Sequence, residues 1–194
     1  MVLNWLQNQT DTKMIPLKEA TSIKHKQAER MPFNVRMFRG QLTKDQYALY
    51  LNQQLLIFQT IEKLGLPNPS LSRVAAIQAD LAELKNGGHA STIVLDATRS
   101  YADYLASMTY EQVLPHIYLN YMALMFGGQM MKKSVPSSGK IYDFDNVQEA
   151  IQSIRAVQQD AWADEVNKGF DFNIALFEEL ELHCVNQPQG AWNS

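Results

Sequence analysis

The chain has 194 residues, of which 46% are apolar and 19% charged, with a formal net charge of −3. That length suits one large domain spanning residues 1–194, and the apolar content excludes a disordered, collagen-like or highly charged chain. So small a negative charge leaves no basic footprint for nucleic acid or anionic lipid.

Helix signals recur along the chain and strand alternation is nearly absent. Pro16 suits the first turn of a helix running to about Arg30, which the Met31-Pro32-Phe33 break then ends. Thr43 with Gln46 reads as a capping box, and behind it Tyr47, Leu51, Leu55, Phe58 and Ile61 share one helical face. LGLPNPS closes that helix. A third segment, about Leu71 to Lys85, ends at Gly87-Gly88, and a fourth runs from about Ser91 to Ala106. Thr109 with Gln112 repeats the capping pattern and opens a long fifth segment toward Lys133. SVPSSGK reads as a loop. Asp145 with Gln148 is expected to cap a sixth segment, with Val147, Ile151, Ile154 and Ala161 on one face, and a seventh runs from about Lys168 to His183. With no repeat at solenoid spacing, the expected fold is an all-α, single-domain helical bundle.

One cysteine, Cys184, excludes an internal disulfide and a cysteine-rich zinc or iron–sulfur centre, and points to a reducing compartment. The opening MVLNWLQNQTDTK lacks the basic-then-apolar order of a signal peptide. The stretch from Ile117 to Phe126 contains Asn120 and falls well short of the roughly 20 residues of a membrane span. The tail QPQGAWNS carries no anchor. A cytoplasmic protein without membrane anchor or nucleic-acid partner is expected.

Glycine-rich phosphate loops, nucleophile elbows, His-Glu-x-x-His pairs and Glu-x-x-His repeats are all missing from the sequence. Its histidines are His25, His89, His116 and His183. A lone helical histidine is more often a surface or satisfied core residue than a ligand. His25, however, shares a face with Leu17 and Thr21, and an inward imidazole there can ligate a single iron axially. Glu29, one turn later, can orient the ring through its second nitrogen. The bland alternative is an amphipathic helix with a half-buried His and a solvated Glu. Gly127-Gly128 interrupts an apolar helical run at about 1 kcal/mol per glycine relative to alanine. Either the helix ends there in a left-handed cap, or something flat must approach the backbone closely.

Three blocks resemble the haem oxygenase family. LKEATSIKHKQAE, Leu17 to Glu29, is similar to its proximal helix, and YMALMFGGQMMKK, Tyr121 to Lys133, to its distal helix. FDFNIALFEEL, Phe170 to Leu180, is similar to a third block carrying a Phe, an Asn and a second Phe at these spacings. The blocks stand in family order and span most of the chain. The resemblance implies haem held between a proximal and a kinked distal helix, with His25 as iron ligand and Glu29 as its partner. It places Lys18 near a propionate, Tyr118 on the haem edge, Gly127 and Gly128 above the macrocycle, and Phe170, Asn173 and Phe177 around the pocket. It further implies haem as cofactor and substrate, converted with O2 and electrons from a ferredoxin- or flavoprotein-type donor to biliverdin, free iron and carbon monoxide.

The sequence also departs from the family. Where the family has GDLSGG, with a carboxylate that anchors the distal water network, Ala123, Leu124 and Phe126 replace the first glycine, the aspartate and the serine. A leucine makes no hydrogen bond. Asn120 stands at the family's distal-helix arginine and is expected to hold a water there. The propionate-binding basic pair has no counterpart in register, Arg155 being the only arginine in that region. Three readings stay open. They are a haem oxygenase with an altered distal pocket, a haem-binding storage, transfer or sensor protein, and the same scaffold around a bilin or another metal centre.

Overall fold

Two capping boxes open two of the long helices as expected. Thr43 Oγ1 accepts from the Gln46 N–H and the Gln46 side chain from the Thr43 N–H, both at 3.2 Å. Thr109 and Gln112 repeat the exchange. The computed structural model describes residues 15–186, so the expectations for the opening and closing stretches lie outside the described residues. Among the described residues there are helices, short 3₁₀ turns and no strand, which makes the fold all-α. No helix among them is long and apolar enough to cross a membrane.

The expected first helix is divided into α1 (Leu17–Ala20) and α2 (Ser22–Glu29). Thr21 sits between them with its hydroxyl donating to the Leu17 carbonyl at 2.8 Å, a side-chain bond that competes with the backbone ladder. The Met31-Pro32-Phe33 break instead starts α3 (Pro32–Phe38), because proline suits a first helical turn. α4 (Lys44–Leu64) buries Tyr47, Leu51, Phe58 and Ile61, while Leu55 is half-buried. It stops at Gly65, whose φ of 112° requires a glycine.

α5 (Val74–Asn86) begins later than the spacing suggested, because Pro69–Leu71 forms a 3₁₀ turn and the Glu62 carboxylate takes the Arg73 and Val74 N–H groups. α6 (Asp96–Ala106) also starts late. Gln53 of α4 binds the Ile93 carbonyl and the Leu95 N–H, which holds that stretch out of the helix. α7 (Tyr110–Lys132) runs unbroken through Gly127-Gly128, so the helix does not end there. α8 (Val147–Arg155) is capped by Asn146 rather than Asp145, the Asn146 side chain accepting from the Glu149 N–H at 3.1 Å. Ala161 lies outside α8 and is exposed; Trp162 beside it is buried in its place. α9 (Ala163–Asn186) is longer at both ends than expected.

α4 lies against α5, α6 and α7, while α9 lies against α2, α3, α6 and α7. The SVPSSGK loop is held by Asp80, a fully buried carboxylate on α5. It accepts from the Ser137 hydroxyl and from the Lys140 and Ile141 N–H groups at 2.9–3.1 Å. That anchorage fixes Tyr142, which closes one side of α7.

Candidate functional site

One stripe of α9 gathers the neighbouring elements. Phe170, Asn173 and Phe177 stand at positions i, i+3 and i+7, so all three project from one face. Phe170 meets the His25 ring of α2 edge-on, with centroids 5.8 Å apart. Asn173 Nδ2 donates to Asn120 Oδ1 of α7 at 3.3 Å, and Phe177 stacks on Phe33 of α3 at 6.3 Å. The proximal and distal segments are thus tied to a common floor.

His25 is not buried: its side chain is 57% exposed, and the Glu29 carboxylate lies 3.6 Å from Nε2. That is an ion-pair separation, longer than a hydrogen bond. Glu29 does not engage Nδ1, and the exposed ring can turn about its Cβ–Cγ bond at little cost. Lys24 pairs with Asp171, which ties α2 to α9. Lys18 is exposed on α1.

On α7 the glycine pair divides. A Cβ added at Gly127 would meet nothing within 4 Å, whereas one at Gly128 would lie 2.7 Å from Tyr142 Cδ1. Gly128 therefore serves helix packing, and Gly127 belongs to an open stripe with Ala123, Phe126 and Met130. Phe126 and Met130 are 61% and 59% exposed, an apolar patch of the sort that marks a binding surface. Leu124 points the other way, buried in the core. Tyr118 is half-buried; burial raises its phenol pKa, and the Arg155 guanidinium partly offsets this.

Asn120 is committed on its donor side. Its amide donates to the Tyr101 hydroxyl at 3.0 Å and to the His116 carbonyl at 2.8 Å, so both hydrogens are engaged. Behind it, Tyr101 Oη lies 2.8 Å from His116 Nδ1, and His116 Nε2 lies 3.0 Å from Glu165 Oε1. The Tyr104 hydroxyl donates to the same Glu165 oxygen at 2.6 Å. Burial lowers the His116 pKa although Glu165 acts to raise it. Burial also raises Glu165, but hydrogen bonds from Tyr104 and His116 outweigh it and leave the carboxyl below its ordinary range.

Sequence reasoning missed Tyr101, Tyr104 and Glu165 and gave His116 no role. The available signal was a histidine and an asparagine inside the apolar run VLPHIYLNYM, where a buried polar group needs a partner. Gly169 was a second signal, since a Cβ there would lie 2.6 Å from Leu119 Cδ2 and 3.1 Å from His116 Nδ1. Among the described residues, no group of three or more His, Cys, Asp or Glu side chains is placed to hold a metal ion.

Comparison with known proteins follows the same outline. A family profile described as "Heme oxygenase" matches residues 14–179. "Heme oxygenase 1" of Gallus gallus is 27% identical, covering 90% of this chain and 72% of its own. The Homo sapiens "Heme oxygenase 1" is 28% identical over 85% of this chain and 70% of its own length. Among solved structures, heme oxygenase-1 of the cyanobacterium Synechocystis, in complex with heme, aligns with a TM-score of 0.73 at 21% identity, over 87% of this chain and 92% of that one. A heme oxygenase from Leptospira interrogans gives 0.68 at 24% identity, over 84% and 97%. At such identities the structural likeness establishes a shared fold.

Proposed function

The chain belongs to the haem oxygenase family of enzymes, and on that premise we propose that it degrades haem to biliverdin, iron and carbon monoxide. Oxygen and electrons from an external ferredoxin- or flavoprotein-type donor complete the reaction. In this reading residues 1–194 act as one domain in the cytoplasm. The observation that carries it is the α9 stripe, which meets the exposed His25 through Phe170 and the α7 segment through Asn173. Haem fits these residues. His25 offers an exposed imidazole nitrogen for the iron, and the Ala123, Phe126, Gly127 and Met130 stripe offers an uncovered apolar surface with room at Gly127.

In that arrangement Glu29 orients the His25 ring, and the side chains of Phe126, Met130 and Phe170 exclude water. Lys18, Tyr118 and Arg155 are the groups suited to the propionates. Gly127 lets a flat ring approach the helix backbone. Bound haem supplies the iron centre at which oxygen is activated. A second reading, haem binding without efficient ring opening, is favoured by one observation: Leu124 is buried apolar side chain where the family has its aspartate.

Adding hemin and recording the Soret band, then supplying a reductant under oxygen, tests both. A Soret shift followed by a bilin band supports the oxygenase. A Soret shift without bilin selects the second reading, and no Soret shift overturns both.

A further inference from the structure

We propose that Glu165 and His116, acting through Tyr101, fix Asn120 with its carbonyl oxygen turned toward the α7–α9 junction, as a hydrogen-bond acceptor for water on the distal face of bound haem. The inference rests on the haem reading above and assigns the distal acceptor within it.

The polarity follows from which atoms can donate. The Asn120 amide atom 2.8 Å from the His116 backbone carbonyl must be nitrogen, because a carbonyl only accepts. Its other hydrogen goes to Tyr101 Oη at 3.0 Å. Tyr101 then gives its own hydrogen to His116 Nδ1 at 2.8 Å, which requires the neutral ring protonated at Nε2. That Nε2–H donates to Glu165 Oε1 at 3.0 Å. Every donor in the chain points outward: the His116 carbonyl fixes the Asn120 amide, and the Glu165 carboxylate, which can only accept, fixes the His116 tautomer and with it the Tyr101 hydroxyl that receives the second Asn120 hydrogen. The charged and titratable groups around His116 are Glu165 and Lys168 from α9, with Tyr101 and Tyr104 from α6. Glu165 borders a surface cleft with Tyr104, Met108 and Trp162, so it stays in contact with solvent and charged.

At the inner end, among the described residues, Asn120 Oδ1 receives only the long 3.3 Å bond from Asn173, and an amide oxygen has a second lone pair to offer. Asn120 heads the helical face that continues through the exposed Ala123 and Gly127, at i+3 and i+7. Leu124, one turn on, has no acceptor and is buried. Glu165 and His116 are therefore positioning residues: they reach the pocket only by orienting Asn120.

The test uses the full chain. In the protein without haem, long-range ¹H–¹⁵N correlation of the His116 ring is expected to show the neutral, Nε2-protonated form at neutral pH. An Nδ1-protonated ring or an imidazolium overturns the proposal. With hemin bound, Asn120→Leu removes the acceptor that favours the acid form, so the midpoint of the acid-to-alkaline absorption change is expected to fall by about half to one pH unit. Glu165→Gln, at the protein surface, is expected to shift it in the same direction, and to add nothing on the Asn120→Leu background. Normal hemin binding with a midpoint that Glu165→Gln leaves unmoved overturns this inference alone. Failure of the unmodified protein to bind hemin overturns the haem reading on which it rests.

Discussion

His25 gains its meaning from exposure and from its single aromatic neighbour. Because the ring is 57% exposed, with the edge of Phe170 and the Glu29 carboxylate beside it, removing it leaves no buried cavity, and stability should change by less than about 0.5 kcal/mol. His25→Ala should nevertheless abolish the axially ligated hemin spectrum, with imidazole added to the solution restoring part of it. Retention of the spectrum in this variant, with loss on substituting His89 or His183, would assign ligation elsewhere. Leu124 is the opposite case. The family's aspartate restored there, as Leu124→Asp, puts a carboxylate into the core, and urea unfolding should show a loss of about 2–4 kcal/mol. An unchanged stability would mean that the side chain turns outward onto the open stripe.

The helices show why adjacent residues of one motif separate in role. Gly127 and Gly128 follow one another on a continuous helix, so they face about 100° apart, one to open space and one to Tyr142. Gly127→Ala should leave the haem-free protein as stable or up to about 1 kcal/mol more so, through better helix propensity, while weakening hemin binding. Gly128→Ala should destabilise it by about 1–3 kcal/mol, because the new methyl meets a ring held in place by the Asp80 anchored loop. Thermal unfolding of the two variants side by side checks this, and equal melting temperatures would contradict it. The sequence shows that the pair is unusual; only the neighbouring turn shows which glycine is spoken for.

Across the molecule, the buried His116 and its half-buried partner Glu165 make folding stability depend on pH with a definite sign. Burial holds the His116 pKa below the ordinary histidine value of 6.5, so as pH falls past that value the unfolded chain takes up a proton that the folded chain resists. Glu165, whose pKa lies below 4.5, adds a second loss of the same sign at lower pH. Stability from urea titrations should therefore be full above about 6.5 and decline below it. A flat profile between neutral pH and about 5 would show that folded His116 accepts its proton freely.

The local sequence was enough for much of the architecture. Both threonine capping boxes, the core face of Tyr47, Leu51, Phe58 and Ile61, and the SVPSSGK loop depend on residues within a few turns of one another, and periodicity reveals such relations directly. Helix starts set by distant partners were not legible: Gln53 delays α6, Glu62 delays α5, and both act from α4. The candidate site divides in the same way. The blocks around His25, Gly127 and Phe170 can be read along the chain because each lies on one helix. The network behind Asn120 cannot, since its hydrogen bonds join residues 15 to 53 positions apart. Such partners are chosen when α6, α7 and α9 dock, because buried polar groups must then satisfy one another in place of water.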